Sequence, residues 1–206
     1  MGHEHASDSG RLAVAVGVVA VGSAVCLATY FAVRGPFGTI NDVGNATVGM
    51  LSAALAWRLR SHVSGVARDA AMGAAALGAA ITVVGSALVV SGTTGFLLAG
   101  LVSSLGFACI GTWLLILNLR SVRAAAWPRR LRSLGVVGGA LMALGFAAAP
   151  GIPLRLDDMA TAPGWVWIGF LGWLGIYVAY PAWAIWFGAL ESRRSGRPLE
   201  SGRVIV

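Results

Sequence analysis

Six long apolar runs, separated by short polar loops, constrain the fold of this chain more than any other feature. A lipid bilayer core about 30 Å thick is crossed by about 20 apolar residues in a helix. Helices also bond all of their own backbone groups, as a segment in lipid must. The chain is 57% hydrophobic and only 11% charged, whereas soluble domains carry about 25% charged residues. The sequence therefore predicts an all-α polytopic membrane protein built as a bundle of six transmembrane helices.

The predicted transmembrane domain covers residues 12–190, between a short polar N-terminus, residues 1–11, and an arginine-rich tail, residues 191–206. Its first apolar run is longer than the roughly 7 to 15 apolar residues of a signal peptide, so we expect it to be retained as a helix. The six predicted spans are residues 12–33, 39–57, 70–90, 95–119, 133–150 and 165–190.

All 15 basic residues are arginines, and they are distributed very unevenly between the two predicted sides of the membrane. Only Arg34 and Arg155 lie on the side opposite to the termini. Short loops rich in basic residues stay in the cytoplasm, so we expect both termini to be cytoplasmic. The arginine-rich, lysine-free composition favours a bacterial inner membrane. Its positive face is expected to contact anionic membrane lipids, and no nucleic-acid partner is expected.

The first, third and fifth predicted spans share similar five-residue segments and rows of small residues. The segments lie at residues 21–25, 84–88 and 137–141. Together with the charge pattern they favour three in-out-in hairpin repeats, with chance similarity in a chain rich in Val, Gly and Ala as the alternative. Small residues four apart let helices approach closely in lipid. We therefore expect these three helices at the centre of the bundle and the bulkier, Trp-bearing helices outside.

Asp42 is the only carboxylate inside a predicted span, and Asn41 and Asn45 lie beside it within about one turn. An ionisable group at mid-bilayer costs about 2.5 to 3.5 kcal/mol on insertion, so such a residue indicates a proton, cation or headgroup site. A competing interpretation is a capping box, because Thr39 precedes Asp42 with the spacing of that motif. In that case Asp42 would lie near the membrane surface, in reach of Arg34.

The sixth span contains Tyr177, Tyr180 and Pro181. Proline removes the backbone bond to the carbonyl four residues earlier, here that of Tyr177, so we expect a kink. A freed carbonyl beside two phenols would form a polar pocket, although prolines in transmembrane helices are more often structural. The candidate site residues are therefore Asn41, Asp42, Asn45, Arg34, Tyr177 and Tyr180.

Enzyme motifs are missing from the sequence, and an enzymatic function is therefore the third choice. No predicted span contains His, which disfavours a metal or haem site. The absence of Lys excludes a Schiff base. We expect no cofactor and no bound metal. The leading hypothesis is a small transporter or channel-like protein for a neutral, lipid-like or monovalent-cation substrate. The alternative is an accessory membrane protein that packs against a partner, or against itself as a homo-oligomer, without a substrate.

Overall fold

The computed structural model describes residues 2–121 and 127–195, with side chains from residue 8 to residue 194. Within this part of the chain every regular element is helical, as predicted, and there is no strand. The α-helices are α1 (Gly2–Val33), α2 (Phe37–Leu59), α3 (Gly65–Val90), α4 (Phe96–Arg120), α5 (Arg129–Ala143), α6 (Val166–Leu174) and α7 (Tyr180–Ser195). A 3-10 helix, Leu144–Gly151, extends α5, and a π-helical turn, Gly175–Ala179, joins α6 to α7.

Five of the six helical segments are long and apolar enough to cross a membrane, which confirms a helical membrane bundle. They are Asp8–Val33, Gly65–Val90, Phe96–Arg120, Arg129–Gly151 and Val166–Arg194. The remaining segment, α2, has 23 residues but is less apolar, because it carries Asn41, Asp42 and Asn45. It packs between α1 and α3.

The six segments form a closed ring. Each one packs against its neighbours in the chain, and α7 returns to pack along α1. Helices α1 and α7 run antiparallel, because Gly10 of α1 lies against Gly188 of α7, whereas Gly17 of α1 lies against Pro181. The predicted hairpin partners do touch, but helices from different hairpins, such as α2 and α3, pack together as well. The hairpins therefore pack together into one continuous ring.

Helix α4 is the most buried of the spans, which contradicts the prediction that the odd-numbered helices occupy the centre. In its most apolar stretch 67% of residues are buried, against 33% for α1 and for α3. The reason is that small residues on both flanking helices meet α4. A Cβ atom added to Gly106 would lie 2.7 Å from the Gly78 carbonyl of α3, and one added to Gly111 would lie 2.8 Å from the Gly139 carbonyl of α5. The bulky Trp113 is consequently buried, not lipid-facing.

The alternation of helix direction collects the described arginines, apart from Arg34 and Arg155, at one end of the ring, called here the arginine-rich end. They lie at the end of α2, α4 and α7 and near the start of α1, α3 and α5. Three of the arginines counted from the sequence, Arg123, Arg197 and Arg203, lie outside the described residues. The opposite end holds the loops at residues 34–36, 91–95 and 152–165.

At this opposite end, the carboxylate of Asp157 caps α4 from a distant loop. It accepts a bond from the backbone N–H of Gly95 (2.6 Å) and another from that of Leu98 (3.1 Å). The first N–H groups of a helix have no partner within the helix, and negative charge is favourable there. Asp157 therefore fastens the long loop to the start of α4.

Candidate functional site

A small polar cavity lies inside the helix ring, in the half nearer the opposite end. Four helical segments contribute to it: α1, α2, α4 and the last segment around the π-helical turn. Its volume of about 20 Å³ is enough for roughly one water molecule. The cavity is lined by Leu27, Asn41, Asp42, Asn45, Phe96, Gly100, Ser103, Ser104, Phe107, Trp173, Ile176 and Tyr177.

The buried side chains of Asn41 and Asn45 form one polar wall. These residues are four apart, on the face of α2 that points into the ring, and they are 2% and 6% exposed. Ser23 of α1 packs against these residues, and its hydroxyl donates to the backbone carbonyl oxygen of Asn41 at 2.9 Å. The same hydroxyl is 3.3 Å from Asn45 Oδ1. Buried polar groups are costly unless they are hydrogen-bonded, and the bonds from Ser23 satisfy oxygens of Asn41 and Asn45.

The π-helical turn brings Tyr177 to the same wall. Its hydroxyl lies 3.2 Å from Asn41 Oδ1 and 3.2 Å from Asn45 Oδ1, and it can donate to either one. Asn45 Nδ2 lies 3.1 Å from the same hydroxyl, to which it donates. The turn follows from Pro181, which has no N–H for a bond to the Tyr177 carbonyl. A π-helical turn stands where the sequence predicts a kink, and the Tyr180 N–H bonds to the Gly175 carbonyl five residues earlier.

Asp42 lies at the edge of the cavity and is half-buried. One carboxylate oxygen is 3.5 Å from Asn41 Nδ2, a long hydrogen bond. The capping-box interpretation is wrong. Helix α2 begins at Phe37, with Pro36 in the capping position and no side-chain cap, so Asp42 lies in the second turn. The chain enters the helix before Thr39 because Pro36 already has helical backbone angles.

Two of the predicted site residues lie away from the cavity. Arg34 is exposed, and its guanidinium carbon is 5.4 Å from the centre of the Tyr30 ring. No ion pair between described residues joins it to Asp42. Its backbone φ of 63° belongs to the turn between α1 and α2. Tyr180 is fully buried but does not line the cavity, because its hydroxyl bonds to that of Ser52 at 2.8 Å.

The wall formed by α4 and Trp173 was not predicted as part of the site. Ser103 and Ser104 line the cavity, and Trp173 Nε1 donates to Ser104 Oγ at 3.2 Å. Phe96, at the start of α4, also lines the cavity, and it packs edge to face on Trp173 with ring centres 6.4 Å apart. Adjacent serines in an apolar helix were the one available signal. Serines commonly bond to their own helix, so this signal is weak without the packing.

The cavity therefore combines one carboxylate with several neutral oxygens. Asp42 provides the only carboxylate on its lining, and the other polar groups are amides, hydroxyls and the indole N–H of Trp173. Across residues 8–121 and 127–194 no three His, Cys, Asp or Glu side chains come together as metal ligands. Oxygen ligands of this kind suit protons, water and hard cations.

Comparison with known proteins returned no matching family model, no matching curated protein and no matching solved structure.

Proposed function

We propose that this integral membrane protein is a small transporter or channel-like protein that carries a proton or a monovalent cation through the cavity beside Asp42. The observation that carries the proposal is the position of Asp42. Among the residues that line the cavity inside the ring, Asp42 is the only carboxylate, and it lies there together with Asn45 and Tyr177. A carboxylate at membrane depth is costly, and a role in binding explains its presence there.

The size and chemistry of the cavity favour a small cation over a lipid-like substrate. A volume of about 20 Å³ accommodates one water-sized species. A single negative group balances a single positive charge, and the surrounding neutral oxygens of Asn41, Asn45 and Ser103 can replace part of a hydration shell. A lipid-like substrate would require the helices to separate.

The distribution of arginines supports an orientation with both termini in the cytoplasm. Under this proposal the arginine-rich end faces the cytoplasm of a bacterial inner membrane, in keeping with the positive-inside rule. The cavity then lies in the outer half of the membrane. A substrate entering from outside would meet Asp42 before the fully buried pair of Ser52 and Tyr180.

The proposal is tested by flux measurements in reconstituted liposomes. The purified chain is placed in vesicles, and a gradient of protons, Na⁺ or K⁺ is imposed in separate experiments, each with a trapped dye that is sensitive to the ion tested. Wild-type protein should conduct one of these ions. The Asp42→Asn variant, which keeps the shape of the side chain but removes its charge, should lower that flux at least tenfold.

Asp158→Asn is the matched control, because Asp158 is an exposed carboxylate whose bonds stay within its own loop. It should leave the flux unchanged. Equal flux through the wild type and Asp42→Asn would refute a role for Asp42. Vesicles that conduct none of the three ions would refute the proposed transport function.

A second candidate function, an accessory protein without a substrate, is favoured by one observation on α1. The small-residue rows of α3, α4 and α5 are used inside the bundle, as at Gly78 and Gly139. On α1, however, Ala28 and Ala32, which are four residues apart on one face of the helix, are both exposed. This face suits close packing against another helix. Recovery of a stoichiometric partner or homo-oligomer from mild detergent, together with no ion flux, would favour this function.

A further inference from the structure

A second, larger depression lies between α4 and α5 at the arginine-rich end, well away from the cavity of Asp42. It is an open groove with a volume of about 630 Å³, and it is called here the α4–α5 groove. The groove is lined by Asn118, Leu119, Arg129, Arg132, Ser133, Val136 and Val137.

The groove carries positive charge that no described carboxylate neutralises. Ion pairs among the described side chains join Arg58 to Asp8, Arg68 to Asp69 and Arg194 to Glu191; none of these residues lines the groove. The start of α5 adds to the positive potential, because it has no acidic residue in its first turn and no side-chain cap. Unbonded N–H groups at a helix start attract anions.

One of the two groove arginines is held in place by the backbone. Arg132 Nε and Nη2 both lie 3.4 Å from the Asn118 carbonyl oxygen at the end of α4. Arg129 is exposed at the first position of α5, and the hydroxyl-bearing Ser133 lies one turn further along the helix. A guanidinium group offers a planar fork of donors that matches phosphate oxygens.

The walls of the groove that run toward the middle of the membrane are apolar and open. Leu119 is 59% exposed and Val137 is 53% exposed, and Val136 lies between the arginine pair and the bilayer core. A ligand that fits has an anionic head at the level of the arginines and a hydrocarbon chain below it. Basic pockets between transmembrane helices bind such headgroups.

We propose that the α4–α5 groove is a binding site for an anionic phospholipid, with the phosphate between Arg129 and Arg132 and an acyl chain along Leu119 and Val137. The site is independent of ion transport. A free phosphate ion would contact only the arginines, whereas a phospholipid would contact both the arginines and the apolar residues below them, so the lining as a whole favours the phospholipid.

The test measures binding of short-chain phosphatidylglycerol and phosphatidylcholine to the full-length protein in mild detergent by native mass spectrometry. Wild-type protein should bind phosphatidylglycerol more tightly. Each arginine near an anionic headgroup contributes about a fivefold change in affinity, so Arg129→Gln with Arg132→Gln should weaken binding about 30-fold. Arg129→Gln alone does not disturb the contact between Arg132 and Asn118, and it should weaken binding about fivefold.

The matched control is the double variant Arg60→Gln with Arg193→Gln, which removes the same charge from the same end of the ring but outside the groove. It should leave the affinity for phosphatidylglycerol nearly unchanged. Equal losses in the two double variants would show diffuse surface attraction and overturn the proposal. Equal binding of the two lipids by wild-type protein, or complete displacement of phosphatidylglycerol by excess inorganic phosphate, would overturn it as well.

Discussion

Two glycines of α3 provide a direct test of the interface between α3 and α4. Gly78 is buried against α4: a Cβ atom added there would lie 2.5 Å from the Gly106 carbonyl oxygen and 2.8 Å from Ile110 Cγ1. Gly73 lies on the same helix, and a Cβ atom added there meets nothing within 4 Å. The substitutions Gly78→Ala and Gly73→Ala therefore make the same chemical change in the same helix, one inside the interface and one outside it.

The expected magnitudes follow from two opposing effects. Alanine stabilises a helix interior relative to glycine by about 0.5 to 1 kcal/mol, and both variants gain this term. The added methyl group at Gly78 must push away a backbone carbonyl, which cannot rotate aside as a side chain can. Such overpacking costs about 1 to 3 kcal/mol. The difference in free energy of unfolding between the two variants should therefore be about 1 to 3 kcal/mol, with Gly78→Ala the less stable.

The measurement is unfolding of each purified variant in mixed micelles with increasing fractions of sodium dodecyl sulfate, followed by circular dichroism. Gly73→Ala should unfold at the wild-type fraction or slightly above it, whereas Gly78→Ala should unfold at a lower fraction. If Gly78→Ala were as stable as Gly73→Ala, the close approach of α3 and α4 at Gly106 would be wrong.

Two further predictions concern single hydrogen bonds and use the same unfolding assay. Asp157→Ala should lower the free energy of unfolding by about 1 kcal/mol, because it removes the cap of α4. Asp158→Ala should lower it by less, because the bonds of Asp158 stay within its own loop. Equal losses in the two variants would refute the capping role. Tyr180→Phe should cost about 0.6 kcal/mol by removing the bond to Ser52 and should leave ion flux unchanged; a loss of flux would place Tyr180 on the ion path.

The number, type and approximate bounds of the helices could be read from the sequence. The apolar runs predict the helices of the structure, and five of the six predicted spans begin or end within one residue of an observed boundary at one end or both. The start of α2 was misplaced, because Thr39 and Asp42 have the spacing of a capping box while the chain is already helical at Phe37. A motif in sequence cannot show that the helix begins a turn earlier.

The polar cluster on α2 could be predicted because it depends only on residue type and on spacing along one helix. Asn41, Asp42 and Asn45 are rare residue types for a membrane span, and their spacing places them near one another whatever the helix packs against. Arg34 was grouped with them because it is close in sequence. The structure places it over Tyr30 instead, since the turn at residues 34 and 35 has positive φ angles that direct the chain away.

The properties that could be predicted from the sequence are therefore local: which segments are helical, which of them are apolar enough for lipid, and which polar residues share a helix face. These properties depend on interactions within a few residues and on the solvent around each segment. Packing between helices determines that α4 is the most buried of the spans and that the ring closes through α1 and α7. It also brings Ser104 to the cavity and separates the two predicted tyrosines, because Tyr177 lines the cavity and Tyr180 does not. Helices that are apolar on all sides show no preferred face in their sequence, so the fit of small residues against their neighbours selects the arrangement.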